Sequence, residues 1–328
     1  MENKYESLEL STQIVIEEAL NRGVAVEILD EKENFIRLRK GDKTEYIQQA
    51  TKTSADPYII PLIMENKQLT KLLLSEHSMS VPKGIEVNSL SQAIEIYPSF
   101  ENMNIVIKPN TTNFGKGVFI LDKSSSITEY RSSVIEALKF DSTVLIEHFI
   151  KGKEYRFLII NNEVVAVLHR IPANVIGDGL HTIEELVFIK NQSPLRGKGY
   201  KTPLEKIELG KVEIAHLQKQ NMDTSTIPSN NKIIYLRENS NVSTGGDSLD
   251  YTDEIHVGYK EIALKATSII GAKICGIDII IEDYNTEPSK DNYSIIELNF
   301  NPALHMHNYP YRGKNRHVEK KILDLLGF

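Results

Sequence analysis

The chain has 328 residues, of which 41% are hydrophobic and 25% are charged, as is usual for globular proteins. Its 38 basic and 45 acidic residues give a net charge of −7, which argues against sequence-independent binding to nucleic acid. A lone cysteine, Cys275, excludes an internal disulfide and a cysteine-rich zinc module. No apolar stretch approaches membrane-spanning length and the N-terminus lacks a signal-peptide pattern, so we expect a soluble cytoplasmic protein with no membrane partner.

The first predicted elements form a small α/β unit. A helix is predicted over 11–22, with Ser11 as its N-cap and Gly23 as its end. Strand-like runs follow at 24–29, 34–39 and 43–48. Two further helices are predicted at 66–79 and 89–97.

The middle of the chain mixes strands and helices without a regular βαβ alternation. Strands are predicted at 104–109, 118–121 and 144–150, a helix at 127–139, and a hairpin from 155–161 and 163–169. This order argues against a doubly wound sheet and favours an α+β fold with antiparallel sheets.

The segment 174–232 is the hardest to interpret. It contains a predicted helix near 182–191 and a basic loop at 196–201, and we interpret it as an elaboration of the catalytic lobe. A helix at 254–271 follows, and a last helix is predicted at 318–326.

Oxygen ligands interrupt two apolar strand-like runs, Gly-Ile-Asp-Ile-Ile-Ile (276–281) and Ile-Ile-Glu-Leu-Asn-Phe-Asn (295–301). Glu297 and Asn299 are two residues apart, so a strand places them on one face, and Asp278 can join them from the neighbouring run. Carboxylates in such runs are costly to bury unpaired. Because carboxylate and amide oxygens suit Mg²⁺ or Mn²⁺, the pairing predicts a metal–nucleotide site rather than turn residues at strand ends.

A second metal hypothesis concerns His305-x-His307 in the tail 302–317. Imidazoles at that spacing can bind a transition metal, but no cysteine or clear third ligand is close in the sequence. The alternative is a pair of histidines without a metal.

A strand lysine and a glycine-bearing loop indicate phosphate binding. Lys108 lies in Asn-Ile-Val-Ile-Lys-Pro, and the loop Thr-Thr-Asn-Phe-Gly-Lys-Gly (111–117) follows. A lysine on a rigid strand can bind phosphate oxygens, and backbone N–H groups of a loop can cover them. This is not a Walker loop, and the alternative is a hairpin with a glycine-rich turn.

Two further segments carry polar groups suited to a nucleotide and to an anion. In 144–157 a strand runs into an extended hinge whose backbone could bind adenine, and Glu154 could accept from ribose hydroxyls. The alternative is a surface Glu/Arg pair with Arg156. In 236–247, Arg237 and Asn241 with a Gly-Gly pair could stabilise a developing anion. The alternative is a solvated Ser/Gly loop.

In this order, the motifs resemble the ATP-grasp superfamily. A closer resemblance is to the glutathione synthetase module of the bifunctional glutamate–cysteine ligase/glutathione synthetases. It is carried by 170–183 (Arg-Ile-Pro-Ala-Asn-Val-Ile-Gly-Asp-Gly-Leu-His-Thr-Ile), 201–207, 235–248 and 297–307 (Glu-Leu-Asn-Phe-Asn-Pro-Ala-Leu-His-Met-His). Cyanophycin synthetases are similar over 170–183 and 236–247.

The resemblance implies an α+β ATP-grasp fold in which two α/β lobes grip ATP. The implied domains are a short N-terminal α/β lead-in at 1–65, a small lobe at 66–145, and a large lobe with the metal and substrate site at 146–328. The implied cofactors are ATP and two Mg²⁺ or Mn²⁺ ions, bound by Asp278, Glu297 and Asn299.

The resemblance also implies roles for individual residues. ATP would be bound by Lys67, Lys71, Lys108, Asn113, Gly115, Gly117, Glu147, His148, Phe149, Ile150, Glu154 and Arg156. An acyl phosphate and the tetrahedral intermediate after it would be held by Arg237, Asn241, Gly245 and Gly246, with Arg170 as a substrate contact. The glycine loop would act as a lid that excludes water.

The implied reaction joins γ-glutamylcysteine and glycine with ATP to give glutathione, ADP and phosphate. The bifunctional proteins carry a glutamate–cysteine ligase domain ahead of this module, and the 328 residues contain no counterpart. We therefore expect an excised module or a stand-alone relative, with such a domain or chain as a partner. The alternatives are a cyanophycin-like or other dipeptide ligase and a non-catalytic nucleotide-binding module. Arg312, Lys314 and Arg316 are candidate partners for a substrate carboxylate, or a solvated basic loop.

Overall fold

A computed structural model describes residues 5–112 and 116–328 of the chain. Asn113 and Gly115 of the predicted lid lie outside the described residues. Two antiparallel sheets, one of four strands and one of five, form the two sides of a central cavity. In the described part of the chain, no helix has the combined length and apolar character that crossing a membrane requires.

The N-terminal unit is one helix on a three-stranded antiparallel sheet. Its elements are α1 (Leu10–Asn21), β1 (Ala25–Asp30), β2 (Phe35–Lys40) and β3 (Lys43–Gln48). The prediction that Ser11 caps α1 is wrong, because the N-cap position falls on Glu9. Ser11 is instead buried in the first turn, where its Oγ lies 2.8 Å from His305 Nδ1. The helix ends as predicted, with Gly23 at a positive φ of 70°.

Two short helices, α2 (Ile59–Glu65) and α3 (Lys67–Glu76), lead into the four-stranded sheet. The Asn66 side chain caps α3 by accepting from the Leu69 N–H at 3.0 Å. The spacing of four residues places Lys67 and Lys71 on one face of α3.

The four-stranded sheet has the order β4-β7-β5-β6. Its elements are β4 (Gly84–Val87), α4 (Leu90–Ile96), β5 (Ile105–Pro109), β6 (Phe119–Leu121), α5 (Ile127–Leu138) and β7 (Val144–His148). In the register of the central strands Val106 pairs with Glu147, so Lys108, two residues further on, lies on the same face as Glu147. That face looks into the cavity.

The five-stranded sheet has the order β14-β9-β8-β15-β16 and all its pairings are antiparallel. The elements from here to the C-terminus are β8 (Lys153–Ile160), β9 (Glu163–Ile171), β10 (Asn174–Ile176), α6 (Ile183–Lys190), β11 (Arg196–Gly197), β12 (Leu204–Glu205), α7 (Lys211–Lys219), β13 (Ile233–Tyr235), β14 (Asp247–Asp250), α8 (Val257–Ile270), β15 (Ile274–Ile281), β16 (Tyr293–Asn299), α9 (His305–Asn308) and α10 (Val318–Leu325). The expectation of antiparallel sheets is confirmed.

Strand β8 shows how the large sheet is covered on both faces. Phe157 and Ile159 pack into a core with α2, α3 and α8, while Leu158 and Ile160 pack into a second core with α1 and α10. This alternation buries both faces of the strand. Arg156 lies on the same face of β8 as Leu158 and Ile160, so this face carries a charged side chain as well as apolar ones.

The segment between β9 and β14 forms a small unit of its own. Strands β10 and β13 pair antiparallel, and a small core joins this ribbon to Ile183, Leu186 and Val187 of α6 and Leu217 of α7. The sequence indicated α6 but not α7. This unit, residues 174–235, lies beside the cavity, to which it contributes His216 and Tyr235.

Candidate active site

A cavity of about 660 Å³ between the two sheets brings most of the predicted site residues together. Its walls include Lys67, Lys108, Glu147, His148, Phe149, Ile150, Glu154, Arg170, Arg237, Asn241, Asp278 and Glu297. These residues come from motifs that are up to 230 positions apart in the chain. Its walls do not include Lys71, Arg156, Gly117, Gly245, Gly246 or Asn299.

On the small-sheet side, a buried carboxylate links two lysines. Glu147 forms ion pairs with Lys71 from α3 and with Lys108 from β5, the second at 2.9 Å. Burial lowers the pKa of Lys108 to about 8, and Lys67 adds to the shift while Glu297 opposes it. Burial and the ammonium groups of Lys108 and Lys67 also lower the pKa of Lys71. The pKa of Lys71 falls to about 6, so the positive charge that faces the cavity is carried by Lys67 and Lys108, and it favours a bound anion.

Lys67 connects the helix to the loop that follows β5. Its Nζ donates to the backbone carbonyls of Asn110 and Thr112, at 3.3 and 2.5 Å, and lies 3.9 Å from Glu297 Oε2. It therefore holds the start of the predicted lid and places a positive charge between the two sheets.

On the large-sheet side, a chain of ion pairs runs along the cavity wall. Arg156 forms a bidentate pair with Asp278, directly opposite on β15, with 2.7 Å between Nη2 and Oδ2. Arg170 Nη2 bonds Asp278 Oδ2 at 2.9 Å and also pairs with Glu154, which accepts from Ser240. Burial raises the pKa of Asp278, but the two guanidinium groups outweigh it and lower that pKa to about 2.

The Arg156 side chain passes close to Gly276 on its way to Asp278. A Cβ at position 276 would lie 3.2 Å from Arg156 Cδ and 3.3 Å from Nη1, so a larger residue would push the guanidinium group aside. The glycine is therefore a close-approach position.

The three predicted metal ligands lie next to each other. Asp278 and Glu297 are paired in the β15–β16 register, and their carboxyl groups are within hydrogen-bonding distance of each other. Asn299 Nδ2 lies 3.4 Å from Asp278 Oδ2. Two carboxyl groups and an amide form an all-oxygen set, which fits Mg²⁺. The third residue of this set, Asn299, is an amide. No group of three His, Cys, Asp or Glu side chains that could hold a metal ion occurs among the described residues.

The first half of the loop 236–247 lines the cavity, with residues 237–241 in its wall. The prediction that the Gly245 and Gly246 amides hold an anion is wrong, because both donate to carbonyls of the loop, Val242 at 3.1 Å and Asn241 at 3.2 Å. Both glycines instead permit close packing. Gly245 has a φ of 91°, and a Cβ on Gly246 would lie 2.7 Å from Ile171 O. Arg237 and Asn241 remain on the cavity wall.

A buried acid that sequence reasoning missed anchors the end of this loop. Asp247 forms ion pairs with Arg196 and, at 2.7 Å, with Lys190, and it accepts from Asn174 Nδ2 at 3.0 Å. Arg196 also donates to the Gly245 carbonyl at 3.0 Å. Arg196, Lys190 and Asn174 all lie more than fifty positions from Asp247 in the sequence. No local pattern could therefore have indicated the cluster.

Arg237 also has a partner that the sequence did not indicate. Its Nε donates to Glu213 of α7, a residue that is 2% exposed. No periodic apolar pattern predicted α7, so its inward-facing acid was not among the candidates.

The tail residues do not form the predicted sites. His305 and His307 are buried in α9, burial lowers the pKa of His305 to about 4, and no third ligand joins them among the described residues, which argues against a transition-metal site. Arg316 forms ion pairs with both Asp250 and Asp253, and Lys314 pairs with Asp253 at 2.7 Å. These cations pair with Asp250 of β14 and with Asp253, and they are not part of the cavity wall.

Three sequence profiles match successive parts of the chain. They describe an ATP-grasp-like domain over 6–59, the ATP-grasp (A) domain of phosphoribosylglycinamide synthetase over 65–171, and a RimK-like ATP-grasp domain over 235–326.

The similar full sequences are glutathione biosynthesis bifunctional proteins. The protein from Clostridium perfringens is 55% identical over 98% of this chain and 41% of its own length, and that from Listeria monocytogenes serotype 4b is 50% identical over 98% and 42%. A crystal structure of a bifunctional glutathione synthetase from Pasteurella multocida is 41% identical, with a TM-score of 0.75 over 99% of this chain and 45% of that one. The chain thus spans about two fifths of the length of the curated relatives it matches.

Proposed function

We propose that this chain, which belongs to the ATP-grasp family, is an ATP-dependent ligase that joins γ-glutamylcysteine and glycine to form glutathione, with release of ADP and phosphate. The observation that carries the proposal is the single cavity that receives the lysines of the small sheet and the carboxylates and arginines of the large sheet. Its relatives match over nearly the whole of the chain, which includes the substrate-facing segments as well as the nucleotide motifs.

The small-sheet side supports ATP binding. Lys67 and Lys108 would contact phosphate oxygens, and Lys71 would support them through Glu147. The hinge at His148–Ile150 lines the cavity beyond Glu147, where its backbone groups suit adenine. Glu154 on the first strand of the large sheet would accept from ribose hydroxyls, and Arg170 holds its orientation.

Asp278, Glu297 and Asn299 would hold Mg²⁺ or Mn²⁺. The metal would neutralise charge on the nucleotide phosphates during transfer. In the described structure Asp278 is committed to Arg156 and Arg170, so Glu297, which is partly exposed to the cavity, is the better candidate for the first contact.

The arginines suit the second half of the reaction. A carboxylate is a poor electrophile, so the γ-glutamylcysteine carboxylate would first be phosphorylated by ATP to an acyl phosphate. The glycine amine would then attack the acyl carbon, and phosphate would leave. Arg237 and Asn241 present a cation and an amide to the cavity, where they would stabilise the anion that develops at the acyl carbon. Arg170 is the candidate contact for the substrate carboxylate. Exclusion of water by the loop 111–117 would protect the acyl phosphate.

The relatives suggest the source of one substrate. They are more than twice as long as the matched segment and are called bifunctional glutathione biosynthesis proteins. We propose that a glutamate–cysteine ligase domain or chain supplies γ-glutamylcysteine to this chain. A cytoplasmic location would provide ATP and keep the substrate thiol reduced.

The test is ADP release by the purified chain with ATP–Mg²⁺, γ-glutamylcysteine and glycine, with glutathione identified by mass spectrometry. Reactions that omit either amino-acid substrate are the controls. ADP release that needs both substrates supports the proposal. Nucleotide binding without turnover would show a non-catalytic module, and turnover with another donor would show a different carboxylate–amine ligase.

A further inference from the structure

We propose that Glu213 is the positioning residue for Arg237, and that helix α7 thereby sets the geometry of the anion-stabilising end of the cavity. This inference rests on the proposed function, because it assigns Arg237 a part in the ligation step. The segment 174–232, whose role the sequence left open, would then belong to the catalytic machinery through a single buried carboxylate.

Both oxygens of Glu213 are occupied, and each has a different task. Oε1 accepts from Arg237 Nε, and Oε2 accepts from the Gly210 N–H at 3.0 Å, which closes the N-terminus of α7. Because the second contact fixes the carboxylate to its own helix, the first contact fixes Arg237 to that helix. Acidic groups in the first turn are also stabilised by the helix dipole.

The contact leaves the reactive side of the arginine available. Glu213 takes the Nε–H, while the Arg237 side chain remains 21% exposed and lines the cavity. A guanidinium group presents its N–H donors in a planar fork, so fixing Nε sets the direction of the two Nη groups. An unrestrained arginine would have to lose this rotamer freedom each time an anion forms.

Further contacts hold α7 along the same segment. Gln220 Nε2 donates to the Tyr235 carbonyl at 3.0 Å, one strand residue before the loop. Lys219 Nζ and His216 Nδ1 lie 3.4 and 3.7 Å from Glu238 Oε1. One face of α7 thus contacts positions 235, 237 and 238 in turn. These contacts hold Tyr235 and Glu238, which lie on either side of Arg237 in this segment, against the helix and the residue that follows it.

The first experiment compares Glu213→Gln with Glu185→Gln. Both glutamates sit at the third position of a helix in the same small unit and close a capping contact, but Glu185 bonds only to Thr182, at 2.8 Å, and does not line the cavity. Glutamine has one acceptor oxygen, so it cannot serve Gly210 and Arg237 together as Glu213 does. We expect kcat to fall about a hundredfold in Glu213→Gln with KM for ATP within twofold of wild type, and to stay unchanged in Glu185→Gln.

A purely structural role predicts a different pattern, in which both variants lose thermal stability and neither changes kcat selectively. That result would overturn the proposal. If Glu213→Gln does not fold, Glu213→Asp serves instead, since it keeps the charge and shortens the reach. Glu213→Asp should lower kcat, but by less than the complete loss of Arg237 does. If Glu213→Asp folds and displaces Arg237 but keeps the kcat of the wild type, the proposal is likewise overturned.

A double-mutant cycle with Arg237→Ala tests whether Glu213 acts through the arginine. In the Arg237→Ala background, Glu213→Gln should cause no further loss of kcat. An additive loss would mean that Glu213 acts by another route and would overturn the assignment.

A readout without turnover separates this proposal from the proposed function. In protein labelled with ¹⁵N-arginine, the Nε–H signal that is lost in Arg237→Lys is that of Arg237. It should move in Glu213→Gln and stay in place in Glu185→Gln, even if the wild-type chain forms no glutathione. A shift in neither variant contradicts the positioning role, whereas an inactive wild type with the expected shift contradicts only the ligase assignment.

Discussion

At the residue scale, Lys108 offers the most direct test of nucleotide binding. It is buried in β5 and shares Glu147 with Lys71, so an anion in the cavity would meet a cation that is held in place. Hydrogen bonds to charged groups contribute about 1.5–3 kcal/mol, so Lys108→Ala should weaken ATP binding by roughly ten- to a hundredfold. The measurement is isothermal titration, with circular dichroism to check the fold. Lys139→Ala, at an exposed pair with Glu136, is the control. Unaltered affinity would make Lys108 structural.

The pKa of the same lysine predicts a pH dependence. Burial lowers it to about 8 in the free protein, and a bound phosphate would favour the charged form and raise it. ATP affinity should therefore begin to fall as the pH approaches 8 and fall above pH 8 by up to about tenfold per pH unit, because the amine must first take up a proton. Titrations from pH 7.5 to 9.5 measure this, and the Lys108-dependent part should vanish in Lys108→Ala. A flat profile in the wild type would contradict the prediction.

Glu297 and Asp278 give different tests of the metal site. Glu297→Gln should keep the fold and lower ligation by about a hundredfold or more, the scale of a lost electrostatic contact in an active site, with a higher Mg²⁺ requirement. Asp278→Asn should lose activity and also stability, by about 3–5 kcal/mol, because it leaves Arg156 without a buried anion and Arg170 with Glu154 alone. Mg²⁺ titrations of ADP release and chemical unfolding measure the two effects. Wild-type turnover in either variant would remove the metal assignment.

At the element scale, strand β14 depends on a buried acid for its place beside the loop 236–247. Asp247→Ala would leave Arg196 and Lys190 buried without an anion, at a cost of about 3–5 kcal/mol in the free energy of unfolding. Asp253→Ala is the control, since Asp253 pairs with Lys314 and Arg316 at the surface, where screening makes ion pairs weak. Urea unfolding compares them, and equal losses would show that Asp247 is not an anchor.

The elements that could be predicted are those whose signal is local. The helix α1, the strands β1 to β3 and the hairpin of β8 and β9 follow from apolar periodicity and turn residues, and Asn161 and Asn162 of that hairpin have the positive φ values of such a turn. Helix α7 was missed because its residues show no clear apolar stripe. It buries only Glu213 and Leu217, while its apolar residues Val212 and Ile214 are exposed.

The same division holds for the candidate site. Lys108, Asp278 and Glu297 stood out because a charge inside an apolar run must have a partner. Glu213 and Asp247 did not, because their partners come from other elements and only the folded chain brings them together. The Gly245–Gly246 pair was misassigned because a glycine pair fits both an anion-binding loop and a tightly packed turn, and the sequence does not distinguish these uses.

At the scale of the whole molecule, the large sheet organises everything else. One of its faces packs against α8 with α2 and α3, and the other packs against the N-terminal unit and α10, so the elements up to Glu76 share cores with the C-terminal half. The four-stranded sheet has a separate core with α4 and α5. The domain boundaries at 65 and 145 remain a prediction, and the separate core of the small sheet is in line with it.

The specificity of the whole cavity is the last prediction. With glycine as acceptor, activity should need a γ-glutamylcysteine-like donor, and arginine or aspartate should not be ligated, because a small acceptor pocket rejects large side chains by overlap. A site that pairs charged groups also rejects ligands that leave them unpaired, and Lys153, Arg170 and Arg237 are cations on the cavity wall near the large sheet. A competition assay with ATP, γ-glutamylcysteine and mixed amino acids, followed by mass spectrometry, measures the preference. Glutathione should dominate the products, and a dominant arginine or aspartate adduct would replace the glutathione assignment with a cyanophycin-like one.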